Sequence, residues 1–542
     1  MRSRLWLLSL TALVLGACRA PTPDPAEDPP EVAMGERLFL ETRFAQFFAA
    51  NAADVNARLA AGDPVMDSLE TMDDPRPGPF RGRSMNCRQC RLVDEPLDSD
   101  TTGLRTYNDF ARRSPIPDRG DGRTHTPRNS PPLVNSNLKR DVPLYLHFDG
   151  EFPTPEDLVV GTFTGRNFGW LPGERADAVA HVARVIREDD GSDALGAPCR
   201  GLPYATLLAG VAPEIPTACR LPEAFRVDTT SAGDEAVLAG VAKIVSAYMR
   251  TLAYAQDAGG GFVGSPFDRF LILNRLPRRP DAAESALDYA RRLRAALDRP
   301  QGLTPLANPD RLSFAHHDHG FGFGTDEIAG LRIFLAEPSG ATASDAEIAA
   351  GEIGNCVSCH APPNFSDFGF HNNGVAQASY DGIHGPGAFA ALAIPGLAER
   401  AMPAGGGPFL DVPAADRPGR TDLGLWNVFG NPGIPGPQAT LTEVVRGLSG
   451  ALAGATAAEL LPRTIGWFKT ATLRDLGQSA PYFHDGSAAA LEDAVRHYRV
   501  VAGIGRAGGL RNGAAQLAGI ALTDADIAPL VAFLRSLDED YE

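Results

Sequence analysis

The residues with most chemistry to offer are Asn355-Cys356-Val357-Ser358-Cys359-His360. Two thiols about one helical turn apart can both bond the vinyl groups of a single haem. The histidine directly after them is placed to ligate the iron from the proximal side. On this reading Cys356 and Cys359 are the thioether links of a haem c and His360 is its axial nitrogen. A structural zinc site is the competing use; it needs two further ligands, and His371 is the obvious local candidate. A second C-x-x-C lies in Met85-Asn86-Cys87-Arg88-Gln89-Cys90-Arg91, with arginine where the histidine should stand. A guanidinium stays protonated and has no lone pair for iron. Cys87 and Cys90 therefore read as a degenerate haem motif, absent its haem or holding it without normal ligation, and a local disulfide is their alternative use.

The surrounding chain points to an exported protein. Arg2 and Arg4 precede an apolar run from Leu5 to Leu15, short for a membrane span. The run ends in Leu15-Gly16-Ala17-Cys18, which resembles a bacterial lipobox. Residues 1–18 are thus expected to be a lipoprotein-type signal peptide, with Cys18 acylated, and residues 19–33 a Pro-rich tether. Arg19, not aspartate, follows the cysteine, which by resemblance to Gram-negative lipoproteins favours a periplasm-facing protein anchored to the outer membrane. Cys199 and Cys219 remain; they could pair in an oxidising compartment or stay as two thiols. Over 542 residues the formal net charge is -17, which excludes nucleic acid as a natural partner and suits a cationic electron-transfer protein.

The elements that must position these residues are mostly helical. Gly35-Glu36-Arg37-Leu38-Phe39 looks like a starting helix. Asp234 to Leu252 places Val237, Val241, Ile244, Val245, Tyr248 and Leu252 on one face. A helix through Glu327 to Phe334 leads into the haem motif, and Thr523 with Asp526 caps a last helix to Leu537. Residues 84–150 and 402–440 are rich in turn-forming residues and read as long loops, with a connection at 298–322. Few segments alternate like strands.

Several motifs form a series: Glu327-x-x-Gly330-x-x-x-Phe334, Phe370-His371-Asn372-Asn373-Gly374, Phe468-Lys469-Thr470-Ala471-Thr472-Leu473-Arg474 and Ala480-Pro481-Tyr482-Phe483-His484-Asp485-Gly486, with Ser265-Pro266-Phe267-Asp268-Arg269-Phe270-Leu271 ahead of them. The series resembles the bacterial di-haem cytochrome c peroxidase superfamily, including the methylamine-utilisation enzyme MauG. The resemblance covers most of residues 35–540, and is specific in the second half and looser in the first. It implies a mainly α protein of two cytochrome c-like helical domains with long irregular loops, here 34–300 and 301–542. It implies reduction of hydrogen peroxide or MauG-like oxidation of a protein partner, with electrons passing through the C-terminal haem from a small electron-transfer protein. It also implies a sixth iron ligand in the helix after the His484-Asp485-Gly486-Ser487 turn: Met in peroxidases, Tyr in MauG-like enzymes. Tyr498 falls there; its neighbour His497 points about 100° away on a helix. Asn135, in Pro132-Leu133-Val134-Asn135, matches the asparagine of an inter-domain calcium site.

The chain departs from that pattern around the first haem. Phe148, in Leu146-His147-Phe148-Asp149-Gly150-Glu151, replaces the tryptophan that lies between the haems. Phe168 stands near the distal carboxylate's place, with Arg166 and Asn167 as poor substitutes for a base. His125 and His147 are the regional candidates to ligate a first-domain iron, against a satisfied loop or core histidine. His316-His317-Asp318-His319 is dense in imidazole but lies in a Gly-rich loop that reads as solvated. The rival to an enzyme is a mono-haem electron-transfer or interaction protein that has lost the peroxidase reaction.

Overall fold

A computed structural model describes residues 28–69, 76–77, 80–90, 113–138, 140, 143–192, 199–298, 302–307, 314, 319–400, 407–434, 437–447, 452–477 and 479–539. The signal peptide, Cys18, most of the tether, Arg91 and residues 316–318 lie outside them. The described residues are dominated by helices. Their only paired strands are two short antiparallel ladders, Ser68–Leu69 with Arg76–Pro77 and Phe370–His371 with Phe468–Lys469. The mainly α expectation holds. None of the described helices is long and apolar enough to cross a membrane.

The first core forms around the Asp234–Thr251 helix, whose predicted stripe is buried from Val237 through Tyr248. Pro30–Phe39, Pro155–Phe163 and Arg175–Glu188 pack on it. Gly35 permits the closest crossing: a Cβ there would lie 2.5 Å from the Ile244 carbonyl oxygen. Beneath these helices Arg37, Arg43, Glu41 and Asp189 form a buried charge cluster, with Tyr204 donating to Glu41 at 2.8 Å. Such clusters hold because each charge has a partner. The structure joins Cys199 to Cys219 in a disulfide at the edge of this core.

The second core contains Pro266–Leu273, Ala286–Leu297, Thr325–Leu335, Leu491–Arg506 and Ile527–Arg535. Two of these helices precede residue 301, the expected boundary. Phe267, Phe270, Tyr289 and Leu293 bury themselves against Phe323, Phe334 and Phe533, so the chain changes core between Phe262 and Phe267. The Pro/Gly-rich stretch that suggested the boundary is a connection within the second core. The last helix stops at Arg535 behind the expected Thr523–Asp526 capping box.

A third cluster, built on Phe370, Tyr380, Phe389, Trp426, Leu441 and Phe468, also takes in Tyr145 from the first half. It gives residues 402–440 more order than a loop where they are described. Leu423, Leu425, Trp426, Val428 and Phe429 are buried, and the Arg400 guanidinium donates to the Trp426 and Phe429 carbonyls. Gly and Pro mark the turns of this segment, while its apolar residues supply the packing.

Candidate functional site: a haem-type cavity

Cys356 opens a single 3₁₀ turn, Cys356–Ser358, that follows the Thr325–Leu335 helix and a short excursion. Asn355 enters the turn with φ 47° and donates from its side chain to Gln516 O at 2.8 Å. Gly354 lies against the preceding helix, where a Cβ would be 2.7 Å from Ile333 O. The turn closes through His360 N donating to Cys356 O at 2.8 Å. His360 Nδ1 then donates to Phe365 O at 2.9 Å. That bond fixes the tautomer and leaves the Nε2 lone pair for a metal. Burial holds the imidazole below its ordinary pKa, so it stays neutral and able to ligate.

The loop presenting Phe365 is pinned by the Phe468–Arg474 segment. Ser366 donates to Thr470 O and Thr472 to Asn364 O, each at 2.8 Å. Arg474 donates to Pro363 O and makes a two-pronged pair with Asp268 at 2.9 and 3.0 Å. Both charges are buried, and Asp268 also caps the Pro266–Leu273 helix. The two motifs 206 residues apart are thus one structural unit.

Cys356, Cys359 and His360 face a largely apolar cavity of about 260 Å³. Phe334, Leu491, Val495, Leu517, Ile520 and Leu534 line it from the second core. Asn129, Ser130, Pro132 and Phe148 close it from the first half. Tyr498 lines the same cavity, and Asn373 Nδ2 donates to its hydroxyl at 3.3 Å. Burial pushes that phenol up to about 12. His497 is instead bonded through Nε2 to Asn373 O at 2.9 Å and is absent from the cavity wall. Burial pushes the Cys356 thiol up to about 12 as well. Two thiols, a neutral imidazole with its outer nitrogen committed, and an apolar slot beside them fit a haem c.

Among the described residues the zinc alternative finds three ligand atoms: Cys359, Asp367 and His371 converge within 4.8 Å. His371 Nε2 lies 2.7 Å from Asp367. Burial opposes the imidazolium, but Asp367 and Cys359 outweigh it and hold His371 up to about 10.

The first-domain counterpart is different. Asn86 caps the Cys87–Gln89 turn and donates to Leu40 O at 2.9 Å. Cys87 and Cys90 are not joined to each other, so the local disulfide is not formed. They line a cavity of about 80 Å³ with Met85, His147, Phe168 and Met249. This space is under a third of the other, and the motif arginine brings no iron ligand. Asn167 also faces this cavity, whereas Arg166 is bonded outward to Asp121 at 2.9 and 2.8 Å. His147 reaches its wall and meets Glu151 at 3.1 Å; His125 does not line it. Phe148, one residue on, faces the larger cavity, so a single turn touches both.

Asn135 is buried at φ 59°, its side-chain oxygen accepting from Tyr254 N at 2.9 Å. That bond gives it a structural use, splicing the loop to the end of the Asp234–Thr251 helix. The clusters of His, Cys, Asp and Glu among the described residues that could hold an ion do not adjoin it in sequence; they are Cys359/Asp367/His371 and His147/Asp149/Glu151. His319, the described member of the histidine-rich loop, meets Asp538 at 2.9 Å. Lys469, in the Phe468–Arg474 motif, also lines the larger cavity, a placement that the motif does not announce.

No family model matches the chain. It is 29% identical over 185 residues to cytochrome-c peroxidase IdrP2 of Pseudomonas sp. (strain SCT), covering 34% of this chain and 36% of that protein. The chain thus matches only about a third of the length of this curated relative. The resemblance read from the motifs is borne out at that level. Among solved structures, a MauG-like protein associated with microbial copper homeostasis aligns over 95% of this chain and 91% of its own, at 17% identity and TM-score 0.43. The diheme peroxidase BthA from Burkholderia thailandensis E264 aligns over 95% and 87%, at 16% identity and TM-score 0.44. Likenesses this loose transfer no residue roles.

Proposed function

We propose, from the likeness of this chain to the di-haem cytochrome c peroxidase and MauG-like superfamily, that it is an exported haem oxidoreductase with one haem c. Cys356 and Cys359 hold that haem covalently, His360 ligates its iron, and Tyr498 is the second axial candidate. The observation that carries this reading is the shared cavity of Cys356, Cys359, His360 and Tyr498, with His360 Nδ1 committed to Phe365 O. A haem bound there supplies one-electron chemistry whose potential the axial ligands set.

The chain's own residues do the rest. Phe365 O orients the imidazole, and Asn373 holds the Tyr498 hydroxyl. The apolar walls exclude water, and Phe148 seals the side facing the first domain. Hydrogen peroxide or a protein partner is the proposed oxidisable or reducible counterpart, and a small electron-transfer protein the proposed redox partner. The acidic net charge suits a cationic donor. Cys18 anchors the protein to the membrane on its periplasmic side under the same proposal.

A second reading is favoured by the first-domain cavity. With about 80 Å³ and no motif histidine, that domain serves as a wall of the haem site and not as a redox centre. The protein is then a weak peroxidase or a mono-haem electron carrier. Haem and iron stoichiometry on the mature protein tests the single haem common to both readings, and the rate of peroxide turnover separates an enzyme from a carrier. One haem per chain is expected, and Cys356→Ala with Cys359→Ala should abolish covalent haem staining. Two haems, or staining that survives in the double variant, would show that Cys87 and Cys90 also hold haem.

A further inference from the structure

The wall of the larger cavity carries two Lys or Arg side chains, Lys469 and Arg474. Arg474 is neutralised by Asp268 at 2.9 and 3.0 Å. The histidines of the wall are also accounted for. His360 is neutral and bonded to Phe365 O, His371 meets Asp367, and His484 is buried and stacked on Phe468. Lys469 differs from all of them. Among the described residues its ammonium makes one hydrogen bond, to Tyr145 O at 2.6 Å, and no carboxylate lies within ion-pair distance. An ammonium has three N–H donors, so two remain to be used.

The backbone holds this cation firmly in place. Lys469 is paired with Phe370 in the short ladder, and its N–H donates to Phe148 O at 2.7 Å. Burial is the main force acting against its charge, and Arg140 adds repulsion; together they push it down to about 7. Arg140 lies over the Phe368 ring and donates to Ser136 O, and no carboxylate among the described residues forms an ion pair with it. Asp149 is the one carboxylate that pulls the other way, and Arg128 already occupies it at 2.6 Å. A buried cation without an anion is unstable, and a low-dielectric wall strengthens its attraction for one that arrives.

We propose that Lys469 is the anion-holding residue of this cavity, and that the anion it takes is a propionate carboxylate of the haem. The inference rests on the haem reading above. Haem carries two carboxylates on one edge, and the apolar remainder of the wall suits the rest of the ring. Lys469 is a positioning residue: it fixes the ring's rotation in the slot and offsets a negative charge near the iron. Removing that positive charge leaves the propionate uncompensated, which favours ferric over ferrous iron and lowers the reduction potential.

The test uses the full holoprotein and reads two quantities: intact mass, for covalent haem, and midpoint potential. Lys469→Met is expected to keep its haem and show a lower potential. Lys469→Gln keeps a donor for Tyr145 O while losing the charge; it should fall in the same way and stands in if the Met variant does not accumulate. Lys469→Arg should restore the parent potential. Covalent haem in the Gln variant with an unshifted potential would overturn the proposal and leave the haem reading intact. A parent chain without covalent haem would overturn both. Inorganic phosphate titrated into the parent separates the sources of anion. A potential that moves with phosphate in the parent but not in Lys469→Gln would assign the anion to solvent and overturn the propionate assignment.

Discussion

At the scale of single residues, burial decides what each group can do. Tyr498 and His497 are neighbours on one helix, yet only Tyr498 reaches the cavity while His497 is used up on Asn373 O. A phenol pushed up to about 12 by burial is a poor ligand until a metal cation replaces its proton. Once bound, a phenolate oxygen stabilises ferric iron more than a thioether does. Tyr498→Met should therefore raise the reduction potential, and the ferric absorption spectrum should change with it. An unchanged potential and spectrum in potentiometry would remove Tyr498 from the coordination sphere.

At the scale of elements, the site depends on how closely two helices of the second core cross. Thr325–Leu335, which delivers the haem motif, meets Ile527–Arg535 at Gly330, where a Cβ would lie 1.9 Å from Pro529 O. Backbone cannot yield there as a flexible side chain would. Gly330→Ala should destabilise the fold by about 1–3 kcal/mol through overpacking. A lowered urea midpoint with an unchanged denaturant slope is the expected result. A variant as stable as the parent would mean that the crossing has slack. The same core shows how Asp268 serves two elements, since its carboxylate accepts from Ser265 at the start of one helix and holds Arg474 beneath the His360 loop.

At the scale of the whole molecule, the two main cores are tied by buried polar links. Asn129 donates to Pro481 O at 2.8 Å, Tyr254 to Arg474 O at 3.2 Å, and Ala255 N to Glu539 at 2.8 Å. Burial, the largest influence, pushes the Glu539 carboxyl up to about 7, against an ordinary value of 4.5. The folded state thus binds its proton more tightly than the unfolded state. That contribution to stability is fully present below pH 4.5 and is lost as pH rises through about 7. It amounts to at most about 3 kcal/mol. Glu539→Gln should remove this dependence, so that urea midpoints at pH 5 and pH 8 differ less than in the parent. An equal difference in both proteins would show that Glu539 is not the group responsible.

The candidate haem ligands were legible in the sequence because their chemistry is local: two thiols and an imidazole within five residues need only one turn to converge. The Val237–Tyr248 stripe was legible for a related reason, since helical periodicity is written in consecutive residues. The resemblance added the neighbourhood of Tyr498, and the helix then chose it over His497. What only tertiary structure decided lies between distant segments. Pro and Gly mark turns wherever they occur, so the stretch at 298–322 could not reveal that Phe267 and Tyr289 pack with the second core. Cys87 and Cys90 could be paired on paper, and the fold instead turns them toward a small cavity. The charge balance of the larger cavity is the clearest case. Lys469 meets Tyr145 O across 324 residues, and nothing in its immediate sequence says that its surroundings are dry. Whether a charge is solvated, paired or left for a ligand depends on the dielectric and the partners around it, and both are assembled only when the chain folds.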